Sequence, residues 1–485
     1  MGKKQIKGII ARDNTNWQTE FENAVKDSGC GVMWKDQISD FREIKDSLLR
    51  LISQQGYFDF YNIAKNFSNY HCKIVDFATT DDYPKKMMEW RKRNPAWFCE
   101  SFDEYSNDGK RKAFIAFLVE DFNSIPEKNR IHINYFITYN QKQASIKNAV
   151  AYTDILTEEQ LNRQTMNTKI MELLTSNKNL ILNGAPGTGK TYLAQQIARE
   201  LGCTADRIGF VQFHPSYDYT DFVEGIRPIQ DGGKDVGFKP KDGVFKQFCE
   251  KALTAYLNAD NEADVPKFVF IIDEINRGDI SKIFGELFFS IDPGYRVTKD
   301  RLDSHKSGKT LLMTVKTQYA NMQEKCPNAF DEALGIDDVN DCGHFFVPEN
   351  VYIIGTMNDI DRSVESMDFA FRRRFAFKEI KAYENIGMLD GMENKEKIIN
   401  RMNNLNRAIE EIEDLSPAYH IGGSYFMKLK DYQKEDKSYD YEALWNNHIV
   451  GLLREYLRNQ PDTGKIIDKT LKDAFNDDML HTVNE

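Results

Sequence analysis

The chain has 485 residues, 41% hydrophobic and 29% charged, with only 13 Pro and 29 Gly. This composition excludes a disordered or collagen-like polymer and leaves room for roughly two to four domains at ~100–200 residues each. The net charge of −11 (64 Lys and Arg against 75 Asp and Glu) argues against a general nucleic-acid coat, and no apolar run approaches the ~18 residues of a membrane span.

The balance is uneven along the chain. Residues 1–150 carry 23 basic and 20 acidic side chains and four of the five tryptophans, whereas 151–485 carry 41 and 55. The opening turns polar at once, so no secretory signal is expected and the cytoplasm is the expected compartment. The seven cysteines are odd in number and lack CxxC spacing, which predicts free thiols rather than a zinc site or a disulfide framework.

Residues 1–155 read as an α+β domain. Trp17–Lys26 and Asp40–Ser53 are helical stretches, and Cys72–Phe77, Ala113–Val119 and Ile131–Thr138 alternate or are wholly apolar, as strands of a small barrel would be. Trp34, Tyr57, Phe58, Tyr61, Trp90 and Trp97 are candidate walls of an aromatic pocket. Lys85, Lys86, Arg91, Lys92 and Arg93 are candidate phosphate contacts. For any single aromatic among them, core packing is the better expectation. The mix is similar to PUA-like folds of the EVE/ASCH type. That resemblance implies a domain that flips a modified base of DNA into an aromatic-lined pocket.

Thr157 with Gln160 fits a capping box at the entry to the second region, residues 156–382. There Leu180–Thr191 is an apolar strand running into a match to G-x-x-x-x-G-K-S/T at Gly184, Gly189, Lys190 and Thr191. The loop Gly184, Ala185, Pro186, Gly187, Thr188, Gly189 would curl its backbone N–H groups around phosphate oxygens. Lys190 would reach the β- and γ-phosphates, Thr191 would ligate Mg²⁺, and Tyr192 opens the following helix. Leu193, Ile197 and Leu201 at i, i+4, i+8 predict that helix, with Gly202 as its cap.

A second buried strand, Lys267–Glu274, ends in two carboxylates. Asp273 would hold Mg²⁺ and Glu274 would orient or deprotonate the attacking water. A third strand, Val351–Asn358, ends in Asn358, placed to see the γ-phosphate or the water. Asp361 follows, and then Arg372, Arg373 and Arg374, where a ring-forming NTPase presents arginine to its neighbour's γ-phosphate. Residues 292–345 read as an insertion with a hairpin and a short helix, including a strand at Thr310–Lys316. Residues 383–485 read as a helical lid. Ile398, Met402, Leu405, Ile409 and Ile412 repeat at helical spacing, and Tyr441–Leu457 forms a second helix.

This order of motifs resembles the AAA+ superfamily and implies an α/β fold: a parallel sheet flanked by helices, then a C-terminal helical lid. Val211–Arg227, Ile272–Leu287 and Val347–Asn358 resemble blocks of the McrB family, the GTP-hydrolysing motor of McrBC-type, modification-dependent restriction. The family's MNxxD signature stands as Met357–Asp361. His420–Phe426 resembles its lid block, with Gly423 where the family often has His. The resemblance implies that Asn276, Asn358 and Asp361 belong to the hydrolysis site. It also implies a McrC-like partner that stimulates the site and carries a PD-(D/E)xK endonuclease, and assembly into a ring, a hexamer. GTP with Mg²⁺ is implied by the resemblance alone. The residues themselves read as NTP, with ATP as the default, since no N-K-x-D occurs. Two other readings stay open: a MoxR-type ATPase remodelling proteins, and a nucleotide-gated DNA-binding scaffold.

Overall fold

The computed structural model describes residues 5–12, 18–35, 38, 41–79, 82–93, 115–131, 133–138, 149–230, 236–320, 328–338, 340–360 and 369–477. The chain divides into two compact units, Met1–Gln164 and Thr165–Glu485. No helix among the described residues is long and apolar enough to cross a membrane.

The described residues of the first unit form seven strands: Gly8–Arg12 (β1), Gly31–Lys35 (β2), Phe58–Ala64 (β3), Phe67–Thr79 (β4), Ile115–Ser124 (β5), Phe136–Thr138 (β6) and Val150–Ile155 (β7). They pair in the order β2-β5-β4-β3-β1-β7-β6, with only β1 and β3 parallel. Period-2 alternation gives the sheet two buried faces. On one, Phe58, Phe60, Cys72, Ile74, Phe117 and Val119 meet Phe21 and Val25 of helix Gln18–Ser28 and Ile44 and Leu48 of helix Phe41–Gln55. On the other, Val32, Ala78, Ala116 and Leu118 meet Tyr83 and Trp90 of helix Tyr83–Arg93. Among the described residues, a single parallel bridge between Ile38 and Ala149 ties the chain beyond β2 to the start of β7. Among the described residues, closure into the expected barrel rests on that bridge. Ile131–Thr138, expected as one strand, is strand only at Phe136–Thr138. Its centre, Ile133–Tyr135, is a 3₁₀ turn.

Trp90, expected as a pocket wall, is instead a core residue, 2% exposed. Its indole N–H donates to Asp76 (2.9 Å), and Lys86 pairs with the same carboxylate (2.8 Å). Phe58 is likewise fully buried. Trp90→Ala should therefore cost about 3–5 kcal/mol of stability, seen as a lowered melting temperature of the full chain. Half-buried Tyr57 carries Lys73 over its ring at 5.0 Å. Tyr61 packs on His71, Phe136 and Tyr152, with ring centroids 4.6, 5.2 and 6.0 Å away. Trp34 lies on β2 and Arg91 and Arg93 on the helix Tyr83–Arg93, but their side chains, and the whole of Trp97, lie outside the described residues.

Helix Glu158–Asn177 spans the division between the units, and its N-terminus carries the expected capping box. Thr157 N–H donates to Gln160 Oε1 (2.9 Å) and Gln160 N–H to Thr157 Oγ1 (3.2 Å). The strands of the second unit are Asn179–Gly184 (β8), Ile208–Gln212 (β9), Glu224–Gln230 (β10), Val236–Asp242 (β11), Phe268–Asp273 (β12), Val315–Lys316 (β13), His344–Phe345 (β14), Val351–Asn358 (β15) and Ala376–Glu379 (β16). Five form a wholly parallel sheet in the order β16-β8-β15-β12-β9. Such a sheet is covered on both faces, which explains its uninterrupted apolar runs. Leu180, Ile181, Leu182 and Val269, Ile271, Ile272 are all 0% exposed.

Among the described residues the expected hairpin is not found within 292–345; a hairpin stands earlier, in β10–β11, which leaves Phe238 68% exposed. Within 292–345 there are helices Lys299–Lys306 and Ala329–Leu334 and the short antiparallel pair β13–β14. Only Val315–Lys316 of the expected Thr310–Lys316 strand is strand. This stretch is packed rather than loose: Phe330, Leu334 and Phe345 belong to the main core. Four of the cysteines, Cys30, Cys72, Cys203 and Cys249, are buried free thiols, as expected. Cys342 departs from that expectation and is disulfide-bonded, with its partner outside the described residues.

The lid is helical. Ile398, Met402, Leu405 and Ile409 of helix Lys395–Glu410 are 0% exposed. The second expected helix runs continuously over Tyr441–Tyr456, widened to a π-turn at Trp445–Ile449. That turn places the Trp445 ring 4.9 Å from Phe475.

Candidate active site

In an open α/β sheet, ligands bind beyond the carboxyl ends of the strands. Here register brings three such ends together. Asn358 of β15 pairs with Gly184 of β8, and Ile272 of β12 pairs with Gly355 of β15. The phosphate loop, the acidic pair and the asparagine tip therefore converge.

The loop turns back on itself through Gly187 and Gly189, with φ of 75° and 77°, a region costly for any residue with a Cβ. Gly189 caps helix Lys190–Glu200, which buries Leu193, Ala194, Ile197 and Ala198. Gly202 ends it in the left-handed region, as its sequence position predicted. Thr188 braces the turn by donating to Ala185 O (3.1 Å). Tyr192 points away, 56% exposed.

Lys190 is 7% exposed, and its ammonium is held by oxygen: Gly184 O (3.0 Å), Ala185 O (2.8 Å) and Asn358 Oδ1 (2.9 Å). The other end of the Asn358 amide donates to Glu274 Oε1 (2.9 Å), and Glu274 Oε2 accepts from Arg277 Nε (3.2 Å). Lysine, amide, carboxylate and guanidinium form one chain. The amide orientation follows from charge, with its oxygen toward the cation and its nitrogen toward the anion. Glu274 itself has φ of 51°, uncommon outside glycine and a form of backbone strain found at functional sites.

Beside this chain, Asp273 Oδ1 accepts from Thr191 Oγ1 (2.5 Å) and from Thr356 Oγ1 (2.6 Å), and Thr356 Oγ1 accepts from Glu274 N–H (3.3 Å). Thr191 and Asp273 are hard oxygen donors in mutual contact, the type that suits Mg²⁺. Among the described residues no group of three His, Cys, Asp or Glu gathers as a metal cage. A divalent ion held by Thr191 and Asp273 would complete its shell with phosphate and water oxygens, as Mg²⁺ does in nucleotide sites.

Asn276 is 5% exposed, with Nδ2 3.5 Å from Asn358 O and no hydrogen-bond partner for Oδ1 among the described residues. Asp361 lies outside the described residues. The three arginines diverge. Arg372 and Arg373 are exposed, whereas Arg374 is 7% exposed. The Arg374 guanidinium lies 4.5 Å over Phe288, donates to Ala370 O and stands 3.8 Å from Asp292. Arg374 therefore departs from the expectation that all three face a neighbour. Its backbone carbonyl accepts from Asn179 Nδ2 (2.9 Å), and Asn179 Oδ1 accepts from the buried Arg296 (2.6 Å). Burial lowers the Arg296 pKa to about 10, which still leaves it cationic at neutral pH.

Two contributors were not singled out from sequence, Thr356 and Arg277. Thr356 had a signal: on a strand, residues two apart share a face, so Thr356 and Asn358 had to point the same way. Arg277 sits within the quoted Ile272–Leu287 block, but its contact with Glu274 depends on a 3₁₀ turn, Ile275–Arg277, which periodicity does not reveal.

Comparison with known proteins agrees with this geometry. A family model described as "AAA domain (dynein-related subfamily)" matches residues 179–375, and one described as "McrB, alpha-helical lid domain" matches 397–465. The Escherichia coli K12 protein described as the "Type IV methyl-directed restriction enzyme EcoKMcrB subunit" is 30% identical over 446 residues, 89% of this chain and 87% of its own. The Bacillus subtilis 168 "Type II restriction enzyme BsuMI component YdiS" is 26% identical over 219 residues, 42% of this chain and 57% of its own. A solved ASCH protein of Zymomonas mobilis is 12% identical across 33% of this chain and 94% of its own, at a TM-score of 0.19, too low to bear on the first unit's fold. A phosphate loop, an acidic pair and an asparagine tip on one parallel sheet, followed by a matching lid, make this chain a member of the McrB family of AAA+ nucleoside triphosphatases.

Proposed function

We propose that this chain is the GTP-hydrolysing motor and target reader of a modification-dependent restriction complex. In this reading it binds DNA carrying a modified base through residues 1–155 and assembles into a hexameric ring. Hydrolysis drives DNA translocation and licenses cleavage by a McrC-like PD-(D/E)xK endonuclease. The observation that carries the reading is the run Lys190–Asn358–Glu274–Arg277 beside Thr191–Asp273–Thr356. It occurs in a chain 30% identical to a methyl-directed restriction subunit.

Roles follow from position. Loop amides and Lys190 bind the phosphates, and Thr191 and Asp273 hold Mg²⁺. The ion, when bound with nucleotide, neutralises charge on the phosphate oxygens. Glu274, held from both sides, orients the attacking water and accepts its proton, while Asn358 fixes Glu274. Asn276 and Asp361 complete the hydrolysis site that the nuclease-bearing partner stimulates. Arg372 and Arg373 are the exposed cations for a neighbouring copy. GTP is favoured over ATP because the Asp273–Arg277 and Met357–Asp361 blocks are those of the McrB family.

The test is turnover of GTP and ATP side by side by the full chain, with and without DNA containing modified cytosine. Faster ATP turnover overturns the GTP assignment. Equal binding of modified and plain DNA overturns the reader assignment, whichever nucleotide is used.

A further inference from the structure

The outer side of the phosphate loop is held by the lid. Four successive loop carbonyls accept hydrogen bonds from the segment 385–424. Gly422 N–H donates to Pro186 O and Ser424 N–H to Gly187 O, both at 2.9 Å. The side-chain amide of Asn385 donates to Thr188 O and to Gly189 O, both at 3.2 Å. Asn385 is 2% exposed.

The approach is close enough to exclude side chains. A Cβ on Gly422 would lie 2.2 Å from Gly187 C, and one on Gly187 would lie 2.6 Å from the Tyr425 ring. The lid segment before Gly422 is itself fixed. Asn406 accepts from Ile421 N–H (2.7 Å) and donates to Ile421 O (3.1 Å).

A planar trans peptide points its C=O and the next residue's N–H in opposite directions. Pinning the carbonyls of residues 186–188 outward therefore aims the N–H groups of Gly187, Thr188 and Gly189 inward, while Gly189 O also accepts from Leu193 N–H (2.9 Å) in the first turn of the helix. Those amides are the nest that meets a phosphate. We infer that Asn385 is a positioning residue for nucleotide binding. With the Gly422–Ser424 backbone, it presets the phosphate nest through the loop's carbonyls, without touching the nucleotide. The inference concerns phosphate alone and holds for GTP or ATP.

Asn385→Asp keeps the side-chain shape but removes the amide donor and sets a carboxylate against two carbonyls. Titrations of the full chain with GTP, ATP and inorganic pyrophosphate, which has no base or ribose, are compared with wild type. The expected result is a rise in Kd on the order of tenfold for all three, with the loss in turnover falling on KM rather than kcat. Gly422→Ala, which forces the lid off the loop, should shift the same three ligands in the same direction. It carries the test if the first variant fails to fold. Pyrophosphate affinity within about twofold of wild type in the folded variants overturns the proposal, because the lid would then act on base or ribose.

Discussion

Glu274→Gln should lower kcat by about 10²- to 10⁴-fold and leave nucleotide bound. Glutamine has the shape of glutamate and can still accept from Asn358 Nδ2, so the tip of β12 and the loop beside it stay in place. What it lacks is the negative charge that draws a proton from water and pairs with Arg277. Single-turnover hydrolysis beside a fluorescence titration of nucleotide separates the two effects. A wild-type rate would remove Glu274 from the chemistry, whereas lost hydrolysis with function intact would favour the nucleotide-gated scaffold. A Kd raised more than about tenfold would assign Glu274 to binding instead.

The arginines give the other large effect. Arg372→Ala combined with Arg373→Ala should cost about 10³- to 10⁵-fold in the turnover of assembled protein, the range of an arginine supplied in trans. Mixing provides the decisive readout. Protein lacking both arginines and protein carrying Lys190→Ala should each be inactive, and together they should recover activity at interfaces that join an intact loop to intact arginines. No recovery on mixing, when both proteins assemble, would place these arginines inside their own chain's chemistry. Arg374→Ala should behave differently. It removes a guanidinium packed on Phe288, so melting temperature should fall more than the mixing behaviour changes.

The phosphate loop was legible in sequence because its function is carried by backbone over a few consecutive residues, and only certain types permit that backbone. The lid helix was legible because burial at Ile398, Met402, Leu405 and Ile409 repeats with the helical period. The arginine run was legible only as a group. Three identical neighbours carry no mark of which one turns inward, and that is decided by Phe288 and Asp292, some eighty positions earlier. Trp90 failed for a related reason: composition counts a tryptophan without saying whether Asp76 takes its N–H inside a core. Contacts of Asn385 and Gly422 with the loop were invisible because they join backbone carbonyls to segments about two hundred residues away, and neither partner has a periodic or compositional signature. The β10–β11 hairpin did leave a turn signal, Asp231-Gly232-Gly233, but its strands, interrupted by Pro228 and Pro240, lack the apolar alternation that marks a strand.

The chain of contacts from Lys190 through Asn358 and Glu274 to Arg277 constrains how this site can vary over generations. Each member fixes the charge or hydrogen-bond sense of the next, so the four positions do not contribute independently. A carboxylate in place of Asn358 would suit Lys190 and repel Glu274; an ammonium in place of Arg277 would keep the charge and lose the directed Nε–H. Substitutions here should therefore show strong epistasis, with a change harmful alone becoming acceptable only after a neighbour has changed. The accessible route to a different hydrolysis site runs through paired replacements, which gives this short run of side chains an evolutionary inertia that the surrounding surface does not share.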